Sequence, residues 1–205
     1  MPPKTRTDKS SRGDTQLWSN RKAVLISMSI AVTFLAATYY AYNQFGQRYV
    51  SVPHLHSLTD RLVWTLRYQV LGLSVVILTT INVWVSRLLS HAINPLAGYE
   101  SVVERSNKIL TNTLEQFVMN AINQLILSTY LSESNLRFIP LLNVYFLIGR
   151  IGFWIGYQIA PKYRIFGFIV TFVPTLLVFS LNAYFLSTTN SNFLFDGGKP
   201  FGRTI

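Results

Sequence analysis

The chain contains no cysteine. That absence excludes a disulfide framework, a thiolate nucleophile and a thiolate-bound metal, while leaving the redox compartment open. Charge is scarce as well: Asp, Glu, Lys and Arg make up 13% of the chain, and only 8 of its 205 residues are acidic. The three histidines, His54, His56 and His91, lack the spacing of a metal site. Ser101 and Ser106 have no nearby histidine to complete a hydrolytic triad, and Gly197-Gly198-Lys199 lacks the first glycine, the spacing and the Ser/Thr of a phosphate loop. There is also no small-residue cleavage site followed by a soluble mature domain, so the first apolar stretch is expected to be a retained helix rather than a signal peptide.

What the chain does have is apolar residues gathered in blocks. Half of the residues are hydrophobic, and five blocks, at 23–42, 68–86, 109–131, 138–159 and 165–187, each approach the roughly 20 residues that a helix needs to cross hydrocarbon. Open sheets cannot span lipid, so the blocks predict an all-α polytopic membrane protein with five transmembrane helices. Residues 1–22 are too polar to bury a core and are expected to form a disordered basic tail. Residues 188–205 read as a short C-terminal tail. Asn94-Pro95 and Gly98 mark a turn, Pro161 closes the fourth helix, and Pro174 predicts a kink in the fifth. The link from Leu131 to Arg137 is short enough to make the third and fourth helices antiparallel neighbours. No internal repeat and no repeated broken helices suggest a transporter.

Net charge is +10, carried mainly by loops and the N-terminal segment. No basic face with groove-reading or base-stacking elements accompanies it, so nucleic acid is not an expected partner. With five crossings, eleven basic residues fall on the side of the N-terminus and six on the other, leaving Arg150 in the membrane. The excess of positive charge predicts a cytosolic N-terminus.

Glu115 and Arg150 lie inside separate spans. A charge at the bilayer centre costs roughly 2.5–3.5 kcal/mol on the gentler insertion scale, so such residues are expected to face a bundle interior or a cavity and to have partners. At 100° per residue, Lys108, Asn112, Glu115, Gln116, Met119 and Asn123 fall within about a third of the third helix's circumference. Arg150, Phe153, Trp154 and Tyr157 form a similar stripe on the fourth helix. A carboxylate, carboxamides, a guanidinium and a phenol suit a small polar ligand carrying both charges. Lys108, Tyr157 and Arg164 lie toward the cytosolic ends of their helices, so the site is expected to open that way. Each residue also has a purely structural role open to it: Asn112, Gln116 and Asn123 as interhelical hydrogen-bond donors and acceptors, Arg164 as an interfacial anchor, and Phe153 and Trp154 as packing.

Two segments carry a resemblance to a known family. Glu104-Arg105-Ser106-Asn107-Lys108-Ile109-Leu110-Thr111-Asn112-Thr113-Leu114-Glu115 resembles the E-R-x-x-R-A-x-x-N-x-x-E motif of the MAPEG family, the membrane-associated proteins of eicosanoid and glutathione metabolism. Gly149-Arg150-Ile151-Gly152-Phe153-Trp154-Ile155-Gly156-Tyr157, followed by Tyr163-Arg164, is similar to the family's R-x-x-Y-x-x-G-Y and its later arginine. The resemblance covers roughly 68–187 and leaves 23–42 as an additional helix ahead of a four-helix core. It implies a homotrimer that holds glutathione between subunits near the cytosolic face. By position, Lys108, Asn112, Glu115, Arg150 and Tyr157 would bind glutathione, and Arg164 would be the catalytic cation that stabilises its thiolate. A lipophilic electrophile or lipid peroxide would then be the second substrate.

The sequence also departs from the family pattern. Phe153 replaces a tyrosine, Gln116 and Leu110 stand at altered positions, and Lys108 keeps the charge of an arginine without its bidentate fork. The wording of the second motif and the extra helix look most like the family's mattrin-like branch. That branch implies a non-catalytic regulator of secretory or membrane-protein trafficking, with a membrane-protein client and a location in the endoplasmic reticulum or wider endolysosomal membranes.

The topology is open to direct measurement. In sealed microsomes, a tag at the N-terminus is expected to be digested by external protease and a tag at the C-terminus to be protected. Both tags on one side would remove a crossing.

Overall fold

The computed structural model describes residues 6–46, 53, 55, 57–92, 99–160 and 162–193, with side chains between 21 and 188. The expected turn at Asn94-Pro95 and Gly98, His54, His56, Pro161 and the Gly197 segment fall outside these residues. Five α-helices are present among the described residues: α1 (Arg6–Phe45), α2 (Leu58–Leu88), α3 (Glu100–Tyr130), α4 (Phe138–Ile159) and α5 (Arg164–Phe193), with a 3-10 turn at Glu133–Arg137 between α3 and α4. Only α4 begins and ends where its apolar block does. Elsewhere the helices extend past their apolar blocks at one end or both. The start of α2 is fixed by a capping box, in which Asp60 N donates to Ser57 Oγ at 3.0 Å and Ser57 N donates to Asp60 Oδ2 at 3.2 Å.

Among the described residues, four segments are long and apolar enough to cross a membrane: Arg21–Phe45, Leu58–Leu88, Glu133–Ile159 and Arg164–Thr188. α3 is absent from that group because Asn112, Glu115, Gln116, Asn120, Asn123 and Gln124 dilute its apolarity. Its 31 residues still reach about 46 Å at 1.5 Å per residue, and it lies along α2 for most of its length. The polar helix is carried across inside the bundle.

Side-chain contacts fix the direction of every helix. Ser86 Oγ lies 3.1 Å from Ser106 Oγ, and Gln69 Nε2 donates to Gln124 Oε1 at 2.9 Å, so α2 and α3 are antiparallel. Asn143 Nδ2 donates to Gln124 Oε1 at 2.6 Å and Arg150 Nη1 to Asn112 Oδ1 at 2.8 Å, so α3 and α4 are antiparallel as well. These two helices meet mainly through such polar bonds, whereas the extensive seams are α2 on α3 and α4 on α5. Asn182 Nδ2 donates to the Asn123 carbonyl at 2.9 Å and Phe185 stacks on Tyr130, so α5 runs parallel to α3. Tyr42 donates to the Arg137 carbonyl, while Thr38 Oγ1 lies 2.9 Å from Tyr145 Oη, setting α1 antiparallel to α4. Direction therefore alternates along the chain, as five crossings require.

The surface is apolar and the interior polar. Leu66, Val70, Ile77, Trp84, Ile122, Leu177 and Tyr184 are exposed, while Gln69, Thr79, Thr113, Gln124, Asn143, Arg150 and Thr171 are buried. In lipid, apolar surface gains nothing by leaving the tails, so packing and interhelical hydrogen bonds hold helices together. The α4–α5 seam supplies the packing. A Cβ on Gly167 would drive into Phe153 N and the Gly149 carbonyl, and one on Gly149 would come within 2.5 Å of Thr171 Cγ2. Small residues here let the two backbones touch.

Gly167→Ala is expected to destabilise the chain by about 3 kcal/mol, because its new methyl meets backbone that no rotamer change can move. Gly152→Ala, whose nearest neighbour is the Phe166 ring at 3.4 Å, is expected to be close to neutral. Thermal unfolding of the two variants in detergent compares them, and equal losses would mean that the seam is not this tight.

Candidate functional site

The N-terminal half of α3 carries a groove of about 580 Å³, lined by Glu100, Ser101, Glu104, Asn107, Lys108, Thr111, Asn112 and Glu115. All eight come from one helix. They repeat at three- and four-residue spacing, which places them on one flank, beside the buried face that carries Ser106, Ile109, Thr113 and Gln116. The expected stripe is thereby divided. Gln116 turns into the core with Asn120 and Gln124, whereas Lys108, Glu115 and Met119 face outward and Asn112 lies between.

Ion pairing is already extensive at the mouth. Arg87 grips Glu100 with two hydrogen bonds, at 2.7 and 3.0 Å, tying the end of α2 to the start of α3. Lys108 Nζ donates to Glu104 Oε1 at 2.6 Å, one turn away. The Lys108 ammonium holds the Glu104 carboxyl below the usual carboxylate range, and the same hydrogen bond raises Lys108. The pair is therefore ionised at neutral pH and opens only as acid protonates Glu104, below the ordinary carboxylate range.

Three helices converge above this mouth. Lys108 lies within electrostatic range of Tyr157 and Arg164, and the Arg164 guanidinium sits 5.0 Å over the Tyr157 ring. Gly156 makes this possible. A Cβ there would come within 2.5 Å of the Tyr163 carbonyl oxygen, so the missing side chain lets the α4–α5 turn fold back until Arg164 overlies Tyr157. The glycine before Tyr157 thus has a local reason, as does the arginine seven residues after it.

Deeper in the bundle, Arg150 is fully buried. Its Nη1 donates to Asn112 Oδ1 at 2.8 Å, its Nη2 donates to Thr171 Oγ1, and its guanidinium lies 4.7 Å from the Phe153 ring centre. Thr171 passes its own hydrogen on to the Phe168 carbonyl at 2.9 Å. Glu115 is outside this cluster. It is exposed on the flank of α3 and makes no hydrogen bond or ion pair among the described residues. The structure thus brings together Lys108, Tyr157 and Arg164 at the mouth and Asn112 with Arg150 below, and leaves Glu115 apart from both groups. Sequence reasoning missed Thr171, and it missed the buried amides around Gln124, where Gln69 and Asn143 donate to Oε1 and Nε2 donates to Asn120 Oδ1 at 3.0 Å. Lone amides in the apolar runs of α2 and α4 were the available signal.

The cluster makes a sharp mutational prediction. Arg150→Leu and Asn112→Leu are expected to be non-additive in a double-mutant cycle, with a coupling of about 1–3 kcal/mol, because each strands the other in low dielectric. Arg150→Leu combined with Glu115→Leu is expected to be additive. Chemical unfolding of the three single and two double variants distinguishes the two pairings.

Comparison with known proteins bears on the same stretch of chain. The profile of the MAPEG family matches residues 65–184, which include α3, α4 and almost all of the apolar parts of α2 and α5. Transmembrane protein 79 of Mus musculus is 26% identical over 166 residues, covering 81% of this chain and 42% of that protein. Transmembrane protein 79 of Bos taurus shows the same identity and coverage. The chain thus spans less than half the length of these relatives, which are consistent with the mattrin-like branch. With the family profile spanning more than half of its residues, this five-helix integral membrane protein belongs to the MAPEG family.

Proposed function

We propose that the chain binds glutathione, or a related anionic molecule of similar size, in the groove on α3. A second copy covers the groove, and three copies form a homotrimer in the endoplasmic reticulum or wider secretory and endolysosomal membranes, with the N-terminus cytosolic. The observation that carries this reading is a polar groove lined wholly by one helix. Against hydrocarbon, a flank bearing Lys108, Asn112 and Glu115 is costly. Covered by a neighbouring subunit, it becomes a site.

The residues suit the ligand. Lys108 and Glu115 are seven residues apart, about 10 Å along the helix, close to the length of an extended tripeptide. Glu115 offers a carboxylate to the ligand's ammonium, and Lys108 offers an ammonium to one of its carboxylates. Asn112 and Tyr157 add polar contacts, and Arg150 holds Asn112 from behind. Arg164 is the cation placed to favour a thiolate over a thiol, which supplies the nucleophile near neutral pH. With a lipophilic electrophile or lipid peroxide drawn from the bilayer, the activity would be that of a glutathione transferase or peroxidase.

A second reading is a non-catalytic regulator of membrane-protein trafficking, in which the same residues hold the trimer and the partner is a membrane-protein client. It is favoured by the cations already engaged: Lys108 by Glu104, and Arg150 by Asn112 and Thr171. Phe153 also offers a ring to Arg150 where the family pattern has a phenol.

Thermal shift of the purified chain with millimolar glutathione and an S-alkyl analogue separates the two, since a ligand specific for the folded state raises its stability. Lys108→Ala is expected to weaken binding about tenfold, the value of a charge-assisted hydrogen bond. Arg164→Ala is expected to keep most of the shift while abolishing thiolate absorbance and turnover of a chlorodinitrobenzene-type electrophile. No shift and no turnover in the wild-type chain would leave the regulator as the better account.

A further inference from the structure

We propose that the basic end of the bundle binds anionic lipid headgroups, holding them in preference to zwitterionic ones. The alternating helix directions bring the C-terminal ends of α2 and α4 level with the N-terminal ends of α3 and α5. Lys22 reaches the same level: it lies twenty residues before Tyr42, and Tyr157 lies twenty after Arg137, the residue whose carbonyl Tyr42 contacts across the antiparallel pair.

Among the described side chains, the carboxylates at this level are used up. Glu100 is held by Arg87 and Glu104 by Lys108. Among the described side chains, the remaining carboxylates are Asp60 and Glu133 at the opposite end and Glu115 farther along the exposed flank of α3. Lys22, Arg105, Lys162 and Arg164 are left with no carboxylate. The first two and Arg164 are exposed, and Lys162 rests 5.2 Å from the ring centre of the exposed Tyr163. At the other end the balance differs, because Arg61 is satisfied by the Leu55 and Leu131 carbonyls at 3.2 and 3.0 Å.

The arrangement favours lipid over a soluble anion. The surplus cations stand on α1, on α3 and at the α4–α5 turn, spread around the bundle's perimeter, so they match a sheet of headgroups better than one compact multivalent ion. Each flanks an apolar span, Lys22 at the start of Arg21–Phe45, Arg105 ahead of the apolar run of α3, and Lys162 and Arg164 between the spans of α4 and α5, and basic residues so placed are attracted to an anionic leaflet surface.

Native mass spectrometry of the detergent-solubilised full chain with equal phosphatidylserine and phosphatidylcholine tests it. Phosphatidylserine is expected to be retained preferentially, with the preference falling as salt rises. Combining Lys22→Gln, Arg105→Gln and Lys162→Gln, none of them in the groove, is expected to reduce that preference by about fivefold per residue. The charge-conserving set Lys22→Arg, Arg105→Lys and Lys162→Arg is expected to keep it, as is Arg67→Gln at the opposite end. Should the triple neutral variant not fold, Lys22→Gln on the peripheral α1 gives a single-step reading. Equal retention of both lipids, an unchanged preference in the neutral variants, an equal loss in Arg67→Gln, or displacement by soluble inositol hexakisphosphate would each overturn the proposal.

Discussion

The approach of α4 to α5 through Gly149 and Gly167 is the constraint on which the rest of the bundle depends. Because neither glycine carries a side chain, Thr171 comes against α4 directly beside Arg150, and its hydroxyl can accept from the guanidinium. Arg150 then reaches Asn112, which draws α3 to the same pair. One turn beyond Gly152, Gly156 admits the backbone of Tyr163 and Arg164, which sets the cation above Tyr157. A wider seam would leave a buried guanidinium short of one acceptor and move Arg164 off its ring. Packing and site geometry are here a single property.

α3 has the opposite character to its neighbours. Thr113, Gln116, Asn120, Gln124 and Ser128 make its buried face polar, and the facing helices answer with Gln69 and Asn143. Individual hydrogen bonds of this kind in membranes are worth only about 0.6 kcal/mol on average. Their greater effect is on register, since a slip of one residue would leave several amides facing apolar groups. α1 is joined differently. Its apolar stretch is largely exposed, and phenols and aromatic rings near its C-terminal end fasten it: Tyr42 on the Arg137 carbonyl, Tyr39 stacked on Phe138, and Tyr145 on the Leu35 carbonyl at 3.2 Å. The four-helix core lies behind it.

The number of helices, their alternation and the bounds of α4 were legible in the sequence because apolarity over about twenty residues is a one-dimensional signal. The ends of α2 and the start of α3 were not, since caps and ion pairs such as Ser57 with Asp60 and Arg87 with Glu100 extend helices past the apolar run. At the site, the 100° rule correctly grouped Lys108, Asn112 and Glu115 on one flank, but it could not say which edge of that flank would be buried. That depends on where α2 lies. Hence Gln116 turned inward and Glu115 outward. Thr171 was invisible for a related reason: a threonine in an apolar helix ordinarily satisfies its own backbone, and only the closeness of α4 turns its oxygen into an acceptor for Arg150.

Arg150's two partners also impose an order on biogenesis. Asn112 is synthesised before the arginine and Thr171 after it, so when α4 enters the bilayer one acceptor is already in place and the other still lies in the part of the chain to come. Integration of α4 is therefore assisted by α3 and completed by α5. A chain truncated between Ala160 and Thr171 would hold the Arg150 guanidinium by Asn112 alone, with half of the coordination it has in the full bundle.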